Sequence, residues 1–288
     1  MATASHPPFR ADHVGSLLRP PALLQARAKA AAGELAADDL RAVEDTAIRE
    51  VIAMQRDVGL STATDGEFRR ASWHMDFIYA LGGISKSEGN MAVHFHNAKE
   101  DIDFTPPALH VGEKVTLTEP IFADDFSFAR DEVAATGGGR TPKLTIPSPS
   151  MVHYRGGRAA IDRAAYPDED EFWTDLSAAY AAEVAALADL GCTYVQFDDT
   201  SLAYLNDPAQ REHIRGMGGD AEHQHERYVG HINAALADRP AGLTVTTHMC
   251  RGNFRSSWVA EGGYDFVAEA VFGGLEVDGF FAEWDDER

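Results

Sequence analysis

Segments with a 3.6-residue apolar rhythm alternate with short runs of β-branched and aromatic residues along nearly the whole chain. That alternation restricts it to an α/β fold built on parallel strands. Leu40, Val43, Ile48, Val51, Met54 and Val58 recur at helical spacing and predict a helix over 37–58, which passes through Gly59 into a short strand over 61–67. Phe172, Leu176, Tyr180, Val184 and Leu187 carry a second helix, whose first turn is loaded with acids from Asp168 to Glu171. Acids at that end complement the helix dipole. Gly191 closes this helix before a strand over 192–198. Further on come a helix over 221–237, a strand over 243–250, a helix over 264–272 and a strand over 277–284.

With segments near 13–17, 115–120 and 143–147, about seven parallel strands are expected. The rhythm is that of a (β/α)8 TIM-type barrel, which typically takes ~250 residues. A doubly wound open sheet would announce a glycine-rich phosphate turn between strand and helix, whereas the glycines at 137–139 precede a strand. The 288 residues are read as one domain over 1–288, with 83–140 as an excursion containing a hairpin and a connecting loop. Seven strands where eight are needed lead to the expectation that the last strand–helix unit is absent and the C-terminus truncated. An open barrel edge would then favour self-association or a partner chain.

The formal charge of −21, with 46 acids against 25 basic residues, argues against nucleic acid or an anionic membrane surface as a partner. No apolar run approaches the ~20 residues that span a bilayer. The first ten residues contain no apolar signal segment, so the cytoplasm is the expected location.

In a barrel, reactive side chains collect at the C-terminal strand ends. This places His248 and Cys250 on one rim position, Asp198 and Asp199 on another, Asp65 and Glu67 on a third, Glu283 and Asp285 on a fourth, and Ser16 on the first. Cys192 begins its strand and is read as structural. Alternate strand residues face the same side, so the imidazole of His248 and the thiol of Cys250 point together. Nitrogen and sulfur are the donors zinc prefers, and Glu283 could add an oxygen from the next strand. A core histidine beside a buried cysteine fits the same spacing, because a lone H-x-C is a weak motif.

The stretches HVGSLLRP (13–20), DGEFRR (65–70), YVQFDDTSLAYL (194–205), HMCRGN (248–253) and GFFAEWDDER (279–288) occur in the order found in one family. Together they resemble the cobalamin-independent methionine synthases, in particular short single-domain members that correspond to the catalytic half of the long enzymes. The resemblance implies a zinc-dependent methyltransferase that moves a methyl group from a methylated folate, or another donor, to the thiol of homocysteine, giving methionine. It implies His248, Cys250 and Glu283 as zinc ligands, with Glu287 a nearby competitor. Gly15 and Ser16 would hold the amino-acid carboxylate, and Glu67 and Asp198 its ammonium group. Zinc makes the thiol a thiolate at neutral pH, and the leaving amine needs a proton. His13 and His153 are candidate donors. The family's second zinc-ligating cysteine, which follows the glutamate, has no counterpart here. A site of three protein ligands with an open position, or one completed by another chain, is the expected consequence. The competing readings are a zinc-thiolate alkyltransferase with another thiol substrate and a non-catalytic truncated homologue.

Overall fold

A computed structural model describes residues 6–87, 93–95, 102–104, 108–154, 156–253 and 257–284. Helices α1 (Pro21–Ala31) and α2 (Ala37–Asp57) precede the short strand β1 (Thr62–Ala63). After α3 (Met75–Ile78) come β2 (Gly82–Ser87), β3 (Val93–Phe95), β4 (Ile102–Phe104) and β5 (Ala108–Thr116), then α4 (Ala123–Ala135). Strands β6 (Thr141–Pro142) and β7 (Leu144–Pro147) follow, then α5 (Ser150–Tyr154) and α6 (Glu169–Asp189). The chain continues through β8 (Tyr194–Asp199), α7 (Ser201–Tyr204), α8 (Pro208–Gly216), α9 (Gln224–Leu236), β9 (Thr244–Met249), α10 (Ala268–Gly274) and β10 (Gly279–Ala282).

Strands β7, β8, β9 and β10 form a parallel sheet in that spatial order, and β1 pairs in parallel with β6. Only Lys143 separates β6 from β7, so the run 141–147 pairs first with β1 and then with β8. Helices connect the parallel strands, as parallel pairing requires.

Two expected strands take other forms. The segment at 115–120 is the tail of β5, which ends at Thr116 and runs antiparallel to β2 outside the parallel set. It is tied to the loop before α6 by Val115, whose N–H donates to the Tyr166 hydroxyl at 2.6 Å. The segment at 13–17 forms no strand, because Gly15 at φ +115° breaks its extended course. Side chains hold it instead: Lys143 Nζ donates to the His13 carbonyl at 2.6 Å, Gln196 Nε2 to that of Val14 at 2.9 Å, and Thr64 Oγ1 to that of Gly15 at 2.7 Å.

Alternation along the strands divides apolar from polar positions. Leu144, Ile146, Val195 and Phe197 join the large core with α6 and α9. Lys143, Thr145, Gln196 and Asp198, at the intervening positions, are also buried but polar. Helix α6 is capped by Asp168, whose carboxylate accepts from the N–H of Asp170. It buries Phe172, Trp173, Leu176, Tyr180, Val184 and Leu187. Each such side chain contributes about 1.5–3 kcal/mol on transfer from water.

Candidate active site

Of the residues singled out for an amino acid, Gly15, Glu67 and Asp198 are brought together by packing and hydrogen bonds, and Ser16 follows Gly15 in the chain. Thr145 Oγ1 donates to Glu67 Oε1 at 2.8 Å, and the Cα of Gly15 lies against both side chains. Gln196 Nε2 joins the same turn to the second acid, donating to Val14 O and, at 2.6 Å, to Asp198 Oδ1. Ser16 is exposed at this point of the turn.

Glu67 has φ +58°, a left-handed conformation that no other described non-glycine residue adopts. Such a backbone persists where its surroundings over-determine it. Here the Glu67 N–H donates to Asp65 Oδ1 at 2.8 Å, while its carbonyl accepts from Arg19 Nη2 at 2.8 Å and from Arg70 N at 3.1 Å. Burial pushes the Glu67 carboxyl above the usual range, against the pull of the Arg70 guanidinium. Burial raises that of Asp198 further, with the Glu67 charge acting in the same direction. Burial and their mutual repulsion disfavour the charged form of both acids, and a cation bound between them would restore it.

A second group occupies the ends of β9 and β10, next to β8. Asp198 and His248 are register partners, as are His248 and Phe281. His248 Nδ1 donates to the Phe281 carbonyl at 3.0 Å, which leaves Nε2 with a lone pair. Burial lowers the pKa of this imidazole, keeping it neutral. Met249 between the two candidate ligands is fully buried in the core. Asn253 Nδ2 donates to Glu283 Oε2 at 2.8 Å and lies 3.5 Å from Cys250 Sγ. Burial raises the Cys250 thiol, so the free thiol stays protonated at neutral pH. The donor set of one imidazole, one thiol and one carboxylate suits zinc, as does the free Nε2. Among the described residues, however, no three His, Cys, Asp or Glu side chains surround a common point as a bound ion would require. Glu287 and Asp285 lie outside the described residues.

The structure draws both histidine proton-donor candidates into other bonds. His13 Nδ1 accepts from the Gly15 N–H at 3.1 Å and Nε2 meets Gln55 Oε1 at 2.8 Å. His153 is bonded to the Tyr228 hydroxyl in α9 and to Glu169 at the start of α6. Asp199 accepts from Ser148, Ser150 and Ser201 and from the Leu202 N–H, so it braces the strand end. Cys192 is buried with its thiol pushed up to about 12, in keeping with a structural role. Sequence reasoning missed Thr145, Gln196 and Asn253. Gln196 stands two residues before Asp198, so strand alternation could have pointed to it. Asn253 closes the HMCRGN stretch, three residues after Cys250, whereas Thr145 carries no such signal.

A family model described as the cobalamin-independent synthase, catalytic domain, matches residues 9–260. The chain is 44% identical to the uncharacterized protein YxjH of Bacillus subtilis (strain 168) over 281 residues, covering 98% of this chain and 72% of that one. It is 24% identical to the 5-methyltetrahydropteroyltriglutamate–homocysteine methyltransferase of Thermotoga sp. (strain RQ2) over 249 residues, 86% of this chain and 30% of that one. A solved structure of a Listeria monocytogenes protein, proposed to be a vitamin-B12-independent methionine synthase, superposes with a TM-score of 0.77 at 38% identity. That match covers 98% of this chain and 74% of the Listeria chain.

Proposed function

We propose that this chain, which belongs to the family of cobalamin-independent synthase catalytic domains, is a zinc-dependent S-methyltransferase that moves a methyl group from a methylated folate to homocysteine. The family's α/β fold is of the TIM-barrel type. The observation that carries the substrate reading is the placement of Glu67 and Asp198 beside the Gly15–Ser16 turn, with His248 directly across the strand from Asp198.

In this reading the two acids receive the substrate ammonium group by charge-assisted hydrogen bonds. Ser16 offers its N–H and hydroxyl to the carboxylate, since the N–H of Gly15 is already spent on His13. An amino acid anchored at both groups has only its side chain left to reach across to β9. His248 Nε2, Cys250 Sγ and a Glu283 oxygen would hold the zinc. Zinc, when bound, supplies the acidity that makes the substrate thiol a thiolate. The transfer forms a sulfur–carbon bond and breaks the donor's nitrogen–carbon bond, and the freed amine takes up a proton.

The test compares L-homocysteine with 4-mercaptobutyrate, which lacks the amine, in Asp198→Asn. Binding of homocysteine should weaken roughly 30-fold or more, as for loss of one partner of a buried charge pair. Binding of 4-mercaptobutyrate should change little. Equal losses for the two thiols would overturn the assignment of Asp198.

A further inference from the structure

We propose that Gln55 is a positioning residue for the substrate carboxylate, acting through His13 on the Gly15–Ser16 turn. Gln55 lies in the last turns of α2, 0% exposed, and falls within none of the five motifs. Its amide nitrogen donates to the carbonyls of Val51 at 3.1 Å and Thr64 at 2.8 Å. Its Oε1 accepts from the Thr64 N–H at 2.9 Å and faces His13 Nε2 at 2.8 Å.

Backbone groups fix the direction of every hydrogen in this chain of bonds. Two carbonyls can only accept, so the Gln55 nitrogen faces them and its oxygen faces His13. An oxygen there requires the proton on Nε2 of His13. Nδ1 is then a bare acceptor, and the Gly15 N–H, which can only donate, points at it from 3.1 Å. Gly15 is held at its other end by Thr64 Oγ1, which donates to its carbonyl at 2.7 Å. Thr64 also carries both backbone bonds to Gln55, so one buried amide orients both holders of the turn. Holding Gly15 at φ +115° presents the next residue, Ser16, to the site. A second proton on His13 would put two hydrogens face to face and release the Gly15 N–H.

This inference rests on the reading that the turn receives an amino-acid carboxylate, and the ligands for its test are chosen to separate the two. Zinc-supplemented full chain is titrated calorimetrically with L-homocysteine and with 3-aminopropane-1-thiol, the same thiol without its carboxylate. Gln55→Glu should draw the second proton onto His13 and weaken homocysteine binding roughly ten-fold, the value of one good hydrogen bond. Binding of 3-aminopropane-1-thiol should stay within roughly two-fold. His13→Ala should reproduce this selective loss, and does not depend on folding of the Gln55 variant. His13→Asn keeps an acceptor where Nδ1 stood and should restore homocysteine binding to within roughly three-fold of the parent. Equal losses for both thiols, or none for either, would overturn the positioning role while leaving the substrate reading intact. A parent protein that binds neither thiol would overturn the substrate reading and this role with it.

Discussion

Gly15 and Thr145 pack so closely that a Cβ on Gly15 would come within 2.5 Å of Thr145 Cγ2, and within 3.2 Å of Glu67 Oε1. The glycine thus serves both the φ of +115° and the approach of the turn to the acid pocket. Gly15→Ala should cost about 2–4 kcal/mol from strain and overpacking, measured by denaturant unfolding, and should abolish homocysteine binding. Thr145→Ser removes the clashing methyl but keeps the hydroxyl bonded to Glu67. The double variant should therefore recover part of the lost stability.

Elemental analysis of protein purified with zinc should give about one ion per chain, lost in Cys250→Ala. Asn253 touches both Cys250 and Glu283, so Asn253→Ala should weaken zinc affinity roughly 10- to 100-fold in competition with a chelator. Unchanged affinity would show that the amide does not organise the ligands.

Glu183 on α6 offers a pH test of stability. It is fully buried and accepts from the N–H of Ile121, and burial raises its carboxyl from 4.5 to about 7. The unfolded chain releases this proton at lower pH than the folded one. Its contribution is therefore complete below about 4.5 and lost as pH rises through about 7. Glu183→Gln should flatten this part of the dependence, so that the variant gains in Tm relative to the parent between pH 5 and 8 (both approximate). A constant difference in Tm across that range would contradict the assignment.

Lys143 and Asp12 form a salt bridge of 3.2 Å with neither side chain exposed. Asp12 also accepts from the hydroxyls of Thr62 and Tyr194. Lys143→Met strands a buried carboxylate and should destabilise by about 3–5 kcal/mol. Lys143→Met with Asp12→Asn removes both charges and should cost less, as a double-mutant cycle in urea would reveal.

The sequence by itself determined the α/β class, the course of α2, α6 and α9, and the strand ends that carry Asp198 and the H-x-C pair. These features are local: apolar periodicity, an acidic first helical turn and strand alternation act over a few residues and can be read along the chain. Five motifs in order also pointed to the family. Tertiary structure alone decided that 13–17 is a side-chain-held turn and that β5 belongs to an antiparallel pair. It also placed Gln55 beneath His13 and Gln196 between Val14 and Asp198. The bonds from Gln55 to His13 and from Gln196 to Val14 join residues 42 and 182 positions apart. A glutamine's hydrogen-bonding capacity is identical wherever it occurs in a sequence. Only the fold, by burying it where backbone groups need partners, gives it a direction and a role.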